Sequence, residues 1–381
     1  MTSSDAIPEA DEDATGSPPA AADRPSDGAP PSRSAQPGAT ANSPLSLPKA
    51  AWIQVLKRAW VMSDFHNIPL LAGGVAFYAF LALTPLIGAT VMIYGLIGDV
   101  ATVQKQMQSI VRVVPAEAAK LIQDQLVNVV TTNTSVTGIA LAIALLFAIY
   151  GGMRAASGMI GALNIINEER ETRSLWTLTW KAAALTIATA FIAAIGLISG
   201  GVFAWLQTRT SVFLGPGTEL LFKVLTWVAA ILLGSLGFAL IMRFGPDRRP
   251  AKWRWLAPGA LLSTLLWVAV SFGFSLYVAY ISDYSATYGS LSAVVVFLMW
   301  LYLSAYGVLA GALLNAEIER QTECDTTTGP ARLRGERGAV LADLVESVVP
   351  NADALAKRRR RHSERARRRA DGRPGAATIA E

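Results

Sequence analysis

The chain has 381 residues, of which 52% are apolar; its mean hydropathy is +0.39 and its formal net charge is +5. Those values exclude a plain string of soluble domains, and the single cysteine, Cys324, excludes an intramolecular disulfide. With only two histidines, His66 and His362, no Cys/His cluster can form a metal site, so neither a metal nor another cofactor is expected.

Residues 1–50 hold nine of the nineteen prolines and seven acids, with almost no large apolar side chains. Such a segment buries too little surface to offset its conformational entropy and reads as a disordered cytoplasmic tail. Lacking an apolar core stretch, it also reads as retained rather than as a signal peptide. Next comes 49-KAAWIQVLKRAWVMS-63, where Trp52, Val55, Leu56, Ala59 and Trp60 share a helical face beside Lys57 and Arg58. That pattern predicts a short interfacial helix.

Six windows are long and apolar enough to cross a bilayer: about 69–97, 138–163, 182–206, 218–242, 256–280 and 289–314. None alternates strictly, which argues against a barrel. The predicted fold is therefore all-α, a polytopic bundle of six transmembrane helices over residues 51–320. Pro85 falls inside the first span and should kink it. Between the first two spans, Val103, Met107, Ile110, Val111 and Val114, then Leu121, Ile122, Leu126 and Val129, predict two amphipathic helices in the first outer loop, separated at Pro115. Gly196–Gly200 and Gly307–Gly311 are spaced for close helix packing.

Orientation follows from the cations. Segments 164–181 and 243–255 carry eight Lys or Arg, the alternate connections four, and fourteen follow the last span. Both termini are thus expected in the cytoplasm. Residues 321–381 form a polar, basic tail, mostly disordered, in which Val340, Leu341, Leu344, Val345 and Val348 suggest one short amphipathic turn. Its arginine run suits anionic lipid. Without interleaved aromatics it is poor evidence for nucleic acid, which is not expected as a partner.

One charge lies inside a span. Arg154, in 148-AIYGGMRAASGMIGALNIINEERETR-173, is sixteen residues from Gly138, roughly 24 Å along the helix and about 6 Å short of the inner boundary. Two readings stay open. Arg154 snorkels to the inner leaflet as an anchor, or it points into the bundle to meet a lipid phosphate or Glu317. In the second reading Arg154, Asn164, Asn315 and Glu317 form a polar cluster at the cytoplasmic mouth; in the first, the others are capped, solvated helix ends. Asp283 and Tyr288 are outer-loop candidates, although a tyrosine there also fits an interfacial belt. The expected partner is the lipid bilayer, with anionic lipids engaged by Arg154 and the basic tail. Homo-oligomerisation is left open. The segments 161-GALNIINEER-170 and 311-GALLNAEIER-320 are alike, but they do not pair as an inverted repeat of three plus three helices would require.

The blocks 64-DFHNIPLLAGGVAFYAFLALTPLIG-88, 154-RAASGMIGALNIINEERETRSLWTL-178, 243-RFGPDRRPAKWRWLAPGALLSTLLW-267 and 288-YGSLSAVVVFLMWLYLSAYGVLAGALLNAEIE-319 together resemble the YihY/virulence factor BrkB family of bacterial inner-membrane proteins. Arg154, Asn164, Pro246, Pro258, Gly259, Tyr288, Gly289, Trp300, Gly311 and Glu317 match its positions, and both tails lie outside the likeness. The resemblance implies a multi-pass inner-membrane protein without a settled activity. Similar proteins are often labelled ribonuclease BN. RNA hydrolysis needs an acid–base pair or a metal, and neither is legible here, so the chain is not expected to be an enzyme. Two functions remain: a transporter or flippase for lipid-like or amphipathic anions, and a non-transporting envelope scaffold.

Overall fold

A computed structural model describes residues 37–97, 138–214, 216–280, 292–344 and 350. The expected outer-loop helices, Asp283 and Tyr288 lie outside the described residues. The helices are α1 (Lys49–Phe65), α2 (Ile68–Ile97), α3 (Gly138–Ile166), α4 (Leu175–Leu214), α5 (Pro216–Phe244), α6 (Trp253–Tyr280), α7 (Ser292–Glu319) and the single turn α8 (Val340–Asp343), with a 3-10 turn at Pro44–Ser46. Among the described residues there is no strand, only an isolated bridge between Ala251 and Thr327.

Five of these helices are long and apolar enough to span a membrane, and the bent pair Lys49–Phe65 and Ile68–Leu83 supplies a sixth when counted as one. The 65° bend between α1 and α2 has a local cause. Asn67 adopts a left-handed conformation with φ 53°, which an asparagine tolerates better than most side chains, and Pro69 sits where α2 begins and cannot continue α1. From there α2 runs through Pro85 as a single helix.

Each long helix packs on its sequence neighbour, and α7 closes the ring against α2. Helix α1 lies across α7. The outer surface of the ring is apolar: Phe191, Leu220, Leu232 and Phe272 are all about two-thirds exposed. Large side chains presented this way require hydrocarbon as solvent, so this is a multi-pass membrane protein. On α1, Ala51, Val55, Arg58 and Met62 turn inward, whereas Ile53, Leu56 and Trp60 face out. The expected interfacial face is thereby divided, and Arg58, read from sequence as a surface cation, is fully buried.

Helix α6 crosses α7 with the two backbones in close contact. A Cβ built on Gly259 would collide with the Gly311 carbonyl, and one on Gly311 with Ser263 and Gly259. Gly307 meets Leu266 one turn away. The Gly307–Gly311 pair therefore serves backbone contact, as its spacing suggests. Gly200, by contrast, faces open space.

The packed body extends beyond the apolar windows at both ends. Ala39, Ala41 and Leu47 are buried, as are Thr322, Thr326, Thr327 and Leu341. Thr322 Oγ1 donates to the carbonyls of Ala39 (3.2 Å) and Ala41 (2.7 Å), and the Glu323 amide donates to the Ala39 carbonyl (2.8 Å). Residues 37–48 and 321–344 are straps across one end of the bundle, held by backbone bonds that a hydropathy profile cannot register.

Candidate functional site

The strapped end is a network of ion pairs. Arg58 Nε donates to Glu317 Oε2, and both side chains are completely buried. Arg58 Nη2 also reaches the Glu317 carbonyl (2.5 Å), and Nη1 reaches Gln321 Oε1 (3.2 Å). Arg320 approaches the other Glu317 oxygen (3.7 Å) and donates to Glu168 (2.6 Å). A charge taken out of water is tolerated only when an opposite charge and hydrogen bonds accompany it.

A second knot joins the α5–α6 loop to α7. Arg248 makes a fork with Glu319 (2.6 and 2.8 Å) and binds Asn167 Oδ1 (2.8 Å), and Thr326 donates to the same carboxylate. Burial alone would lower the Arg248 pKa, but the Glu319 carboxylate outweighs it and the net shift is upward. The third knot ties the α3–α4 loop to the α5–α6 loop. Asn164 accepts from the Asp247 amide (2.7 Å) and donates to Glu171 (2.9 Å). Asp247 accepts from the Thr172 amide (2.8 Å) and hydroxyl (2.6 Å), and Arg173 grips Glu171 (2.5 and 2.6 Å).

Two carboxyls of this latch are held below the usual range. For Glu171 the main cause is the bond from Arg173. For Asp247 burial pushes upward, but the two Thr172 bonds and the Arg173 charge prevail. Glu169 is pushed up, chiefly by burial, although it accepts the Val340 amide (2.7 Å).

The four residues expected at the mouth occupy separate places. Glu317 is sealed by Arg58. Asn164 belongs to the loop latch. Asn315 mends α6 around Pro258, accepting from the Gly259 amide (2.7 Å) and donating to the Leu256 carbonyl (3.0 Å), where the proline disturbs the helical ladder. Arg154 does not meet Glu317. It is exposed on the outer face of α3, its Nε donating to Tyr150 Oη (3.0 Å) and its guanidinium lying 5.2 Å from that ring's centre.

A cavity of about 570 Å³ opens between α4, α5 and α6, lined among others by Thr189, Ile192, Ala230, Gly234, Trp267 and Phe272. On α5 its lining runs from Thr226 to Ile241, roughly 22 Å of helix. Several hydroxyls on its walls are already engaged: Thr189 donates to the Leu185 carbonyl, Thr226 to that of Phe222 and Thr264 to that of Ala260, while Ser271 accepts from the Trp300 indole N–H. The lining presented to a ligand is therefore mostly hydrocarbon. Toward the strapped end it is stopped where Ile241 packs on Ile160, Ala182 and Leu185.

Sequence reading missed the cavity and the partners Arg58, Arg248 and Arg320. The available signals were weak. Arg58 continues the inward stripe of Ala51 and Val55, and Arg320 and Gln321 follow Glu317 at spacings of three and four, just past the end of α7. Among the described residues, no group of three or more His, Cys, Asp or Glu could hold a metal ion.

The comparisons agree with a membrane bundle. The chain is 26% identical over 209 residues to the ribonuclease-like protein YfkH of Bacillus subtilis, covering 54% of this chain and 74% of that one. It is 26% identical over 263 residues to the UPF0761 membrane protein Nmul_A0452 of Nitrosospira multiformis, covering 66% and 58%. It is 28% identical over 325 residues to the UPF0761 membrane protein RC1_0578 of Rhodospirillum centenum, covering 82% and 68%. The chain thus spans less than two thirds of the Nitrosospira protein's length. No solved structure matches. The profile described as Virulence factor BrkB matches residues 59–335, a stretch that takes in α2 to α7, the cavity and the ion-pair residues other than Arg58, and the chain belongs to that family.

Proposed function

We propose that this protein handles lipid-like or amphipathic anions in a bacterial inner membrane, as a transporter or flippase, with its strapped, arginine-rich end in the cytoplasm. The observation that carries this reading is the cavity between α4, α5 and α6. Its length of roughly 22 Å exceeds the ~15 Å of one leaflet's hydrocarbon, and its walls suit an acyl chain better than a polar solute. The orientation rests on the excess of Lys and Arg at the strapped end. The name ribonuclease-like, carried by one relative, finds no support in a metal-binding group among the described residues, and enzymatic activity is not part of this proposal.

The test is lipid translocation in vesicles reconstituted with wild type, Ala193→Phe and Ala230→Phe. The phenyl rings fill the cavity from α4 and from α5. Translocation by wild type and its loss in both filled variants is the expected result; unchanged rates in filled, folded variants would sink the proposal.

A second reading is an envelope scaffold that moves nothing. The observation favouring it is the strapped end, where residues 37–48 and 321–344 give the bundle a built, polar surface suited to a partner. The same assay discriminates, because a scaffold is indifferent to a filled cavity.

A further inference from the structure

On α3, Ile143, Phe147, Tyr150, Arg154, Gly161 and Ile165 are all exposed. Their spacing places them on a single helical face, which is the face that α3 turns to lipid. Arg154 is the only cation in this stripe.

Its depth follows from the neighbouring helix. A Cβ on Gly152 would touch Thr186 of α4, which lies five residues beyond the exposed Lys181. Arg154 is therefore roughly 5 Å deeper than Lys181, and roughly 18 Å along α3 from its end at Ile166. A snorkelling side chain at this depth should reach toward the strapped end. Arg154 does the reverse. Helical side chains lean toward the N-terminus, and its bond to Tyr150, one turn back, draws the guanidinium away from the nearer interface. On the other side, Tyr78 of α2 packs over Gly158, one turn on.

An unpaired guanidinium in hydrocarbon is costly and marks a site that recruits an anion. Among the described residues no carboxylate pairs with Arg154, and its hydrogen bonding is limited to Nε. Both Nη groups remain available as donors. Because Tyr150 Oη accepts from Nε, its own hydrogen is free to point outward beside them. Two Nη groups and a phenol on one exposed face form a fork of donors matched to a phosphate's oxygens.

We infer that Arg154 and Tyr150 form a phospholipid-phosphate site on the outer α2–α3 face, drawing a headgroup below its usual level. The site is separate from the α4–α5–α6 cavity and stands whether or not the protein translocates lipid. Its ligand is a lipid and not free phosphate, since the donors are reached through hydrocarbon.

The experiment is native mass spectrometry of the full chain released from lipid nanodiscs and delipidated under fixed conditions. The probes are phosphatidylglycerol, diacylglycerol and inorganic phosphate. Wild type should retain one phosphatidylglycerol more than Arg154→Gln. Retention should fall about tenfold in Arg154→Lys, whose point charge cannot fork, and less in Tyr150→Phe. Diacylglycerol should not be held at this site, and inorganic phosphate should not displace the lipid. Equal retention in wild type and Arg154→Gln, or full rescue by Lys, overturns the inference, as does displacement by inorganic phosphate. Should Arg154→Gln fail to fold, Tyr150→Phe, which keeps the cation, carries the test alone.

Discussion

Arg58 and Glu317, 259 positions apart in sequence, form an ion pair with neither side chain exposed to solvent. The pair fastens α1 to the end of α7, the most buried span among those described. Leaving one partner buried without the other is expensive, at about 3–5 kcal/mol. Arg58→Ala and Glu317→Ala should each lower thermal stability sharply. The double variant Arg58→Met with Glu317→Leu should recover much of the loss, because no charge is then stranded. A double variant as unstable as the sum of the two singles would show that the pair is not what matters.

Asn315 should be coupled to Pro258. Asn315→Ala removes two buried hydrogen bonds to the α6 backbone and should cost about 1–3 kcal/mol. In a Pro258→Ala background the helix ladder is less disturbed, and the same substitution should cost less. Additive effects in thermal unfolding would count against the repair role.

The loop latch carries a definite pH signature. Glu171 and Asp247 have depressed folded-state pKa values, so their contribution is present above the unfolded pKa and is lost as pH falls through the folded one. Hydrogen exchange at 167–174 and 245–250 should therefore stay slow from neutral pH through the usual carboxylate range, and quicken only below it. Glu169 has the opposite sign. Its raised value means a penalty that grows as pH rises through that value, so Glu169→Gln should slow exchange at neutral pH. Exchange that quickens within the ordinary carboxylate range would contradict the latch.

The straps make truncation informative. Residues 37–48 bond to Gln321, Thr322 and Glu323 and bury Ala39, Ala41 and Leu47. Removing residues 1–36 should leave thermal stability unchanged, whereas removal through residue 48 should reduce it. Equal stability of the two truncations would make the strap dispensable.

The hydropathy windows announced α2 to α7 because a helix in lipid must be apolar over about 20 residues. The Gly307–Gly311 spacing likewise announced a close backbone contact, though not that α6 is its partner. The ion-pair knots were far less legible. Whether an arginine near a span end faces water or a carboxylate depends on partners such as Glu317, which sequence separates from Arg58 by the whole bundle. The straps escaped notice because threonine hydroxyls and backbone amides hold them, and composition does not report either. Arg154 was conspicuous as a charge, but its outward face and its Tyr150 bond depend on how α3 rotates against α2 and α4.

The central claim is that the bundle moves an amphipathic lipid, and translocation by the wild-type chain tests it most directly. Vesicles carrying a fluorescent phospholipid in both leaflets would be exposed to an impermeant quencher, with and without an imposed proton gradient, over a series of protein densities. Protein-free vesicles protect the inner-leaflet label. The proposal predicts that this protected fraction falls as the number of reconstituted molecules rises. A protected fraction that stays at the protein-free level at every density, with the gradient and without it, would contradict the claim and leave the scaffold.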